Sequence, residues 1–419
     1  MSVEVSTLAN GMRVVTDRIE GVESAAVGVW VDVGARDEPA ELNGISHLLE
    51  HMAFKGTERR DAQAIAQEIE DVGGHVNAYT SREHTAYYAR ILKDDVPLAV
   101  DILADILQNS TFCDDELERE RWVVMQEIAQ VYDTPDDLVF DLFQECAFPD
   151  QPMGRSILGT PDKVDGFSRD ALSDFMGQFY SADSMVLAAS GAVEHDALVG
   201  LAGEHFAGLR HANMHSAEPV AYGGGAKEQA DDVEQVHMVV GFDGVGYEDP
   251  DYYAVQLLSN ALGGGMSSRL FQEIREKRGL AYSIYSFGSS FIDGGLFGVY
   301  AGCADEDSNE VGEVIAHELK RATDGISDAE LERARTQLKA GLLMSRESTS
   351  SRCETVARQM LVFGRPVPQD EIVAKLDAVD GEQITSSAER LFHTCQPTVA
   401  SIGPAGYQQH YERIAGHLA

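Results

Sequence analysis

The sequence predicts an α+β fold made of two related units, each a sheet with helices on one side, and three observations carry that prediction. First, the chain repeats itself. "VDVGARDEP", ending at Pro39, resembles "FDGVGYEDP", ending at Pro250, an offset of 211 (250 − 39). "DDELERER" from Asp114 resembles "DAELERAR" from Asp328, an offset of 214 (328 − 114). Second, each half opens with β-branched alternating runs ("AAVGVWVDVG", "VHMVVGFD"), continues through long amphipathic helices and returns to strands ("AYYARIL", "GGLFGVYAG"). Third, His211 to Asp232, "HANMHSAEPVAYGGGAKEQADD", is rich in Gly, Ala and acidic residues and lacks any period, as a linker does. The expected organisation is a first domain over 1–212, a linker over 213–230 and a second domain over 231–419.

Composition fits two full cores. The chain has 419 residues, 44% of them hydrophobic and 24% charged, an ordinary globular balance. Its formal charge of −38 opposes nucleic-acid binding and attracts cationic ligands over distance, although solubility or salt tolerance explains the same acidity. Five cysteines, Cys113, Cys146, Cys303, Cys353 and Cys395, are odd in number, far apart and without C-x-x-C spacing. That argues against a disulfide framework or a thiolate metal site and fits a reducing compartment. No apolar run follows a basic start in "MSVEVSTLANGMRVVTDR", and no run of about 18 apolar residues occurs, so a soluble cytoplasmic protein without membrane insertion is expected.

The chemistry concentrates in "ISHLLEHMAFKGT", from Ile45 to Thr57. As a helix this stretch puts Ile45, Leu48, Leu49, Met52 and Ala53 on one apolar stripe and His47, Glu50, His51 and Phe54 on the opposite side, with Gly56 placed to end it. Two imidazoles one turn apart can bind one Zn²⁺ in their neutral form, and a carboxylate between them that is not a ligand can take a proton from zinc-bound water. H-x-x-E-H is the inverted form of the zinc-protease motif.

The internal repeat tests this reading. At the first offset His47, Glu50 and His51 correspond to Leu258, Ala261 and Leu262, so the polar trio is not a requirement of the shared scaffold. At the second offset Glu120 and Glu127, seven apart and so on one helix face, correspond to Ala334 and Gly341. Glu116 and Glu118, by contrast, keep acidic counterparts at Glu330 and Glu332. Glu127 is therefore the expected third ligand, and Glu120 the expected support of the site. Further on, Thr134 can cap and Pro135 can begin another helix, which sets Asp137 and Asp141 four apart on one face.

"HLLEH" with Glu127 placed 76 residues after His51 (127 − 51) resembles the pitrilysin and insulinase family of zinc peptidases, along nearly the whole chain. "GGHVNAYTSREHTAYYA" and "LGGGMSSRLFQEIREKRGLAYSIY" look most like the mitochondrial processing peptidase group and its bacterial homodimeric relatives. The resemblance implies one Zn²⁺ per chain on His47, His51 and Glu127, with Glu50 as base, and peptide substrates. It implies that Asn77 and Ala78 lie on an edge strand that pairs with extended substrate, Ala78 leaving room beside the metal. Arg275 and Tyr282 match a pair that stabilises the oxyanion. Gly263, Gly264 and Gly265 match a loop that handles substrate, although a helix-terminating loop explains them equally well. Phe54 matches the residue lining the pocket after the cleaved bond, and Asp137 and Asp141 match the acids that receive an arginine before it. Family members build a chamber from four such units, so this chain is expected to form half of a clamshell chamber and to work as a homodimer. The competing expectation, a non-catalytic scaffold or chaperone-like subunit, lacks support from the intact ligand set. Metal analysis beside turnover of a basic peptide separates the two.

Overall fold

A computed structural model of the chain describes residues 3–211, 217–393, 396–404 and 410–418. Cys395 and the linker residues 213–216 lie outside the described residues. The other four cysteines are free thiols. Among the described residues no helix is long and apolar enough to cross a membrane.

The first unit is built on a six-stranded sheet. Its strands are β1 (Val3–Thr7), β2 (Arg13–Arg18), β3 (Ser24–Val31), β4 (His75–Thr80), β5 (Thr85–Leu92) and β6 (Met185–Gly191), in the order β1-β2-β6-β3-β5-β4. The β2/β6 pair is parallel and the others are antiparallel. The second unit has five strands, β7 (Gly225–Ala230), β8 (Val236–Asp243), β9 (Ala281–Ser290), β10 (Gly295–Cys303) and β11 (Thr398–Gly403), in the order β7-β11-β8-β10-β9. Here β7/β11 is the parallel pair. Without β1, the two sheets share one topology, with their single parallel pair at the same place. The repeat seen in the sequence is thus a repeat of fold.

Each compact unit takes one segment from the opposite half of the sequence. Residues 130–154 belong with the second unit and 343–368 with the first. The cause is visible in the strands. Seven of the eight residues of β3, "SAAVGVWV", are buried, so both faces of the first sheet need covering. The helix Thr349–Phe363 packs on β2, β3 and β6, where Cys353, Val356, Ala357 and Met360 meet Val15, Ala26 and Trp30. Arg352 fastens it through a charged pair with Asp17 of β2, which is almost fully buried. In the second unit the helix Pro135–Ala147 does the same on β7, β8 and β11, through Leu138, Val139, Leu142 and Phe143. That helix begins with Pro at its first turn, as expected. The Thr134 hydroxyl does not cap it, however, and instead donates to the Gln130 carbonyl at 2.7 Å. The last turn of the preceding helix has unpaired carbonyls of its own, and they compete for the hydroxyl.

Candidate metal centre

The helix Ile45–Ala53 buries the predicted stripe: Ile45, Leu48, Leu49, Met52 and Ala53 have no exposed surface. It packs against β4. It stops at Ala53 with Phe54 as C-cap, and Gly56, at φ +127°, makes the turn that follows. Glu127 comes from the helix Asp114–Tyr132, which turns Leu117, Glu120, Val124 and Ile128 inward at helical spacing.

These two helices bring three donors to one point. His47 Nε2 and His51 Nε2 each lie 3.5 Å from Glu127 Oε2. One donor atom from each residue falls within 4.8 Å of the others, and this is the one such group of His, Cys, Asp and Glu side chains among the described residues. Two donors bonded to one zinc at about 2.0–2.1 Å with tetrahedral angles stand about 3.3 Å apart, close to the 3.5 Å that separates each imidazole from Glu127. Burial, aided by the neighbouring His51, lowers His47 to about 3, which keeps its imidazole neutral as a ligand must be.

Around the trio lie groups that orient it. Glu120, 6% exposed, accepts from His51 Nδ1 at 3.0 Å, which directs His51 Nε2 at Glu127. Its other oxygen pairs with Lys55 Nζ at 2.8 Å. Burial opposes charge on His51, but the Glu120 hydrogen bond and the fields of Glu127 and Glu50 outweigh it and hold His51 above its ordinary value. Glu50 shares the ligand face and is not among the three donors. Burial raises its carboxyl above the usual range, against the lowering effect of a 2.7 Å hydrogen bond from the Thr80 hydroxyl.

β4 is the outer strand of its sheet. Asn77 is exposed, and its Oδ1 accepts from the Ala78 N–H at 2.9 Å, while Ala78 is buried opposite Tyr87 of β5. Thr80, two residues beyond Ala78, shares its face of the strand. Sequence reasoning passed over Thr80 and Lys55. Period-two spacing from Ala78 within "NAYT" was the signal for the first, and position 55, one turn beyond His51, for the second. Phe54 is half-buried, its ring 6.1 Å from that of Tyr87.

The remaining expected residues belong to the second unit. The Arg275 guanidinium lies 4.6 Å from the ring centroid of Tyr282 and 4.8 Å from that of Phe271. Arg275 sits in a π-helical turn, Phe271–Glu276, and Tyr282 is 74% exposed at the start of β9. Gly263 and Gly264 have packing reasons to lack side chains. A Cβ at Gly263 would sit 2.2 Å from the Ser286 nitrogen, and one at Gly264 2.8 Å from the Asn260 Cα. At Gly265 the nearest atom would be 3.6 Å away. Asp137 is exposed and Asp141 half-buried on the helix Pro135–Ala147. Tyr285 and Tyr300 have their phenols raised by burial first, then by the charges of Asp136 and Asp137.

An α+β chain whose H-x-x-E-H helix faces a glutamate from a second helix is an inverted-motif zinc metallopeptidase. Comparison with known proteins gives the family. Residues 13–161 match the insulinase family, peptidase family M16, and residues 166–338 match the peptidase M16 inactive domain. The chain belongs to peptidase family M16. It is 39% identical to a zinc protease of Rickettsia felis, covering 96% of this chain and 97% of the relative. It is 38% identical to a probable mitochondrial-processing peptidase subunit beta of Arabidopsis thaliana, covering 96% of this chain and 78% of the relative. In fold it matches a protease from Helicobacter pylori, with a TM-score of 0.88 at 23% identity over 96% of this chain and 99% of that one. The inactive-domain match includes the stretch in which Leu258, Ala261 and Leu262 stand where the first half has His47, Glu50 and His51.

Proposed function

We propose that the chain is an endopeptidase that cuts extended, basic peptides, with Glu50 as its general base. The observation that supports this most directly is the convergence of His47, His51 and Glu127 on one point, with Glu50 beside them and outside the ligand set. A zinc ion held by the trio supplies Lewis acidity, which acidifies water and polarises a peptide carbonyl. Glu50 accepts the water's proton through the oxygen that Thr80 leaves free, and passes it to the departing amine. An extended substrate adds to the edge of β4 and takes over the Ala78 N–H that Asn77 holds in its absence. Arg275 and Tyr282 of a partner chain stabilise the charge that develops on the substrate oxygen, and the rings of Phe271 in the π-helical turn and of Tyr282 in β9 pre-orient the guanidinium. The enzyme is thus a homodimer with two equivalent composite sites, and it acts in the cytoplasm.

Glu120 orients His51 as a carboxylate–histidine–zinc relay does. Glu120→Gln is expected to weaken zinc binding roughly 10- to 100-fold, measured by competition with a chelator. Unchanged affinity would remove the orienting role.

Asp137 and Asp141 supply the preference for arginine. Like charges four apart cost a helix about 0.2–0.5 kcal/mol, and at its N-terminal end the helix dipole returns part of that. Two carboxylates at this spacing suit a guanidinium that bridges both. Cleavage is expected to favour arginine one or two residues before the cut and a bulky apolar residue after it, against Phe54. Peptides with Arg→Ala at that position should lose about tenfold or more in kcat/KM on the wild type and much less on Asp137→Asn/Asp141→Asn. Full discrimination by the double variant would leave the two aspartates as a solvated helix face.

A further inference from the structure

The ligand helix begins without a side chain to cap it. Its N-cap is Gly44, at φ +99°, in a conformation that favours glycine. A Cβ there would also meet the Leu158 carbonyl oxygen at 2.7 Å and the Gly159 Cα at 2.8 Å, so no capping side chain fits. A helix of nine residues is marginal by itself, and its first-turn N–H groups need acceptors. Glu38, six residues upstream of the N-cap, serves one of them, Ser46, together with the N–H of the N-cap itself. Glu38 Oε2 accepts from the Gly44 N–H at 2.8 Å and from Asn43 Nδ2 at 3.1 Å, and Oε1 accepts from the Ser46 N–H at 2.8 Å. The Glu38 residue is 2% exposed. Burial pushes its carboxyl up to about 7, against the pull of the Gly44 and Ser46 N–H groups and the Asn43 amide. Asn43 in turn donates to the Ser156 carbonyl at 2.9 Å, which ties the cradle to the loop that closes over Gly44.

We infer that Glu38 is a positioning residue of the metal centre, setting the angle and register of the helix Ile45–Ala53 by holding its first turn, so that His47 and His51 meet Glu127. The residue it grips, Ser46, directly precedes His47. Any slack in that turn moves His47 first and His51 one turn later. The internal repeat supports a dedicated role. By the first offset its counterpart is Asp249 (38 + 211), one methylene shorter, which accepts a single backbone N–H, from Asp251, and pairs with Arg390 at 2.8 Å. The three-donor cradle is thus found in the half with the histidines, while its counterpart in the other half serves a salt bridge.

The inference rests on the reading of His47, His51 and Glu127 as zinc ligands, and the test keeps the two apart. Wild type, Glu38→Gln and Glu38→Asp are freed of metal, and zinc affinity is measured on each by competition with a chelator, beside the melting temperature of the metal-free protein. Gln presents an amide N–H where donors already point, and Asp keeps the charge but loses the reach. Both are expected to bind zinc about 10-fold or more weakly, with most of the loss remaining in whichever variant melts nearest the wild type. A lowered melting temperature with wild-type zinc affinity would reduce Glu38 to an ordinary helix cap and overturn the inference. Failure of the wild type to bind zinc would overturn the ligand reading instead. If neither variant folds, amide exchange in the wild type decides. Coupling is reciprocal, so zinc should slow exchange at Gly44 and Ser46, and equal exchange with and without zinc overturns the inference.

Discussion

Glu50→Gln is expected to keep one zinc per chain and to lose peptidase activity by about 10³-fold, the middle of the range that a positioned general base supplies. The substitution preserves shape. A glutamine oxygen can still accept the 2.7 Å hydrogen bond from Thr80, and the amide nitrogen takes the place of the oxygen that would carry the proton. Basicity goes and geometry stays. The three ligands behave differently, because their atoms meet within 4.8 Å of one another. His47→Ala, His51→Ala and Glu127→Ala should each lose the metal together with the activity. Elemental analysis of the purified variants beside turnover of an arginine-containing peptide separates the two outcomes. A Glu50→Gln enzyme that works within tenfold of the wild type would refute the base assignment, and one that loses its zinc would make Glu50 a ligand.

Two inactive variants should restore one another when mixed. Where the composite site takes its zinc from one protomer and Arg275 and Tyr282 from the other, a dimer of Glu50→Gln with Arg275→Ala carries both lesions in one site and none in the other. With equal amounts and free exchange of subunits, half the dimers are mixed and each has one intact site, so activity should return to about a quarter of the wild-type value. Arg275→Ala alone should be nearly inactive by the loss of a donor aimed at developing charge, a loss of about 10²- to 10³-fold. The experiment includes a mass measurement confirming that labelled subunits have exchanged. Exchange without recovery would place the whole site within one chain and end the composite reading.

How much was legible in the sequence depended on distance along the chain. The ligand helix was fully legible, because its period separates Ile45, Leu48, Leu49, Met52 and Ala53 from His47, Glu50 and His51 within nine residues. Glu127 was reachable because the repeat supplied a comparison: a carboxylate present in one copy and replaced by Gly341 in the other marks added chemistry. Lys55 and Thr80 were in plain view and passed over, since a lysine one turn beyond a ligand and a threonine in a strand have ordinary surface roles by default. Only the approach of Glu120 and Glu50 gives them purpose.

Glu38 was hidden for a different reason. An acid before a helix reads as dipole complementarity, and nothing local says that the capping position itself has been closed by Leu158 and Gly159 from more than a hundred residues away. The exchange of helices between units was hidden in the same way. Nothing within 135–147 or 349–363 says that its helix packs with the opposite half, while β3, buried at seven of its eight positions, shows no alternation that would say which helix covers which face.

By itself the sequence determined the duplicated α+β scaffold and pointed to His47, His51 and Glu127, the three side chains that the fold brings together, because periodicity and donor chemistry are written in neighbouring residues and the repeat provides its own control. Tertiary structure alone decided which groups contact those side chains and which helix covers each sheet. The Thr80 hydroxyl on Glu50, the Lys55–Glu120–His51 chain and the Glu38 cradle are hydrogen bonds and ion pairs a few ångströms long, and whether they form is set by where distant segments pack.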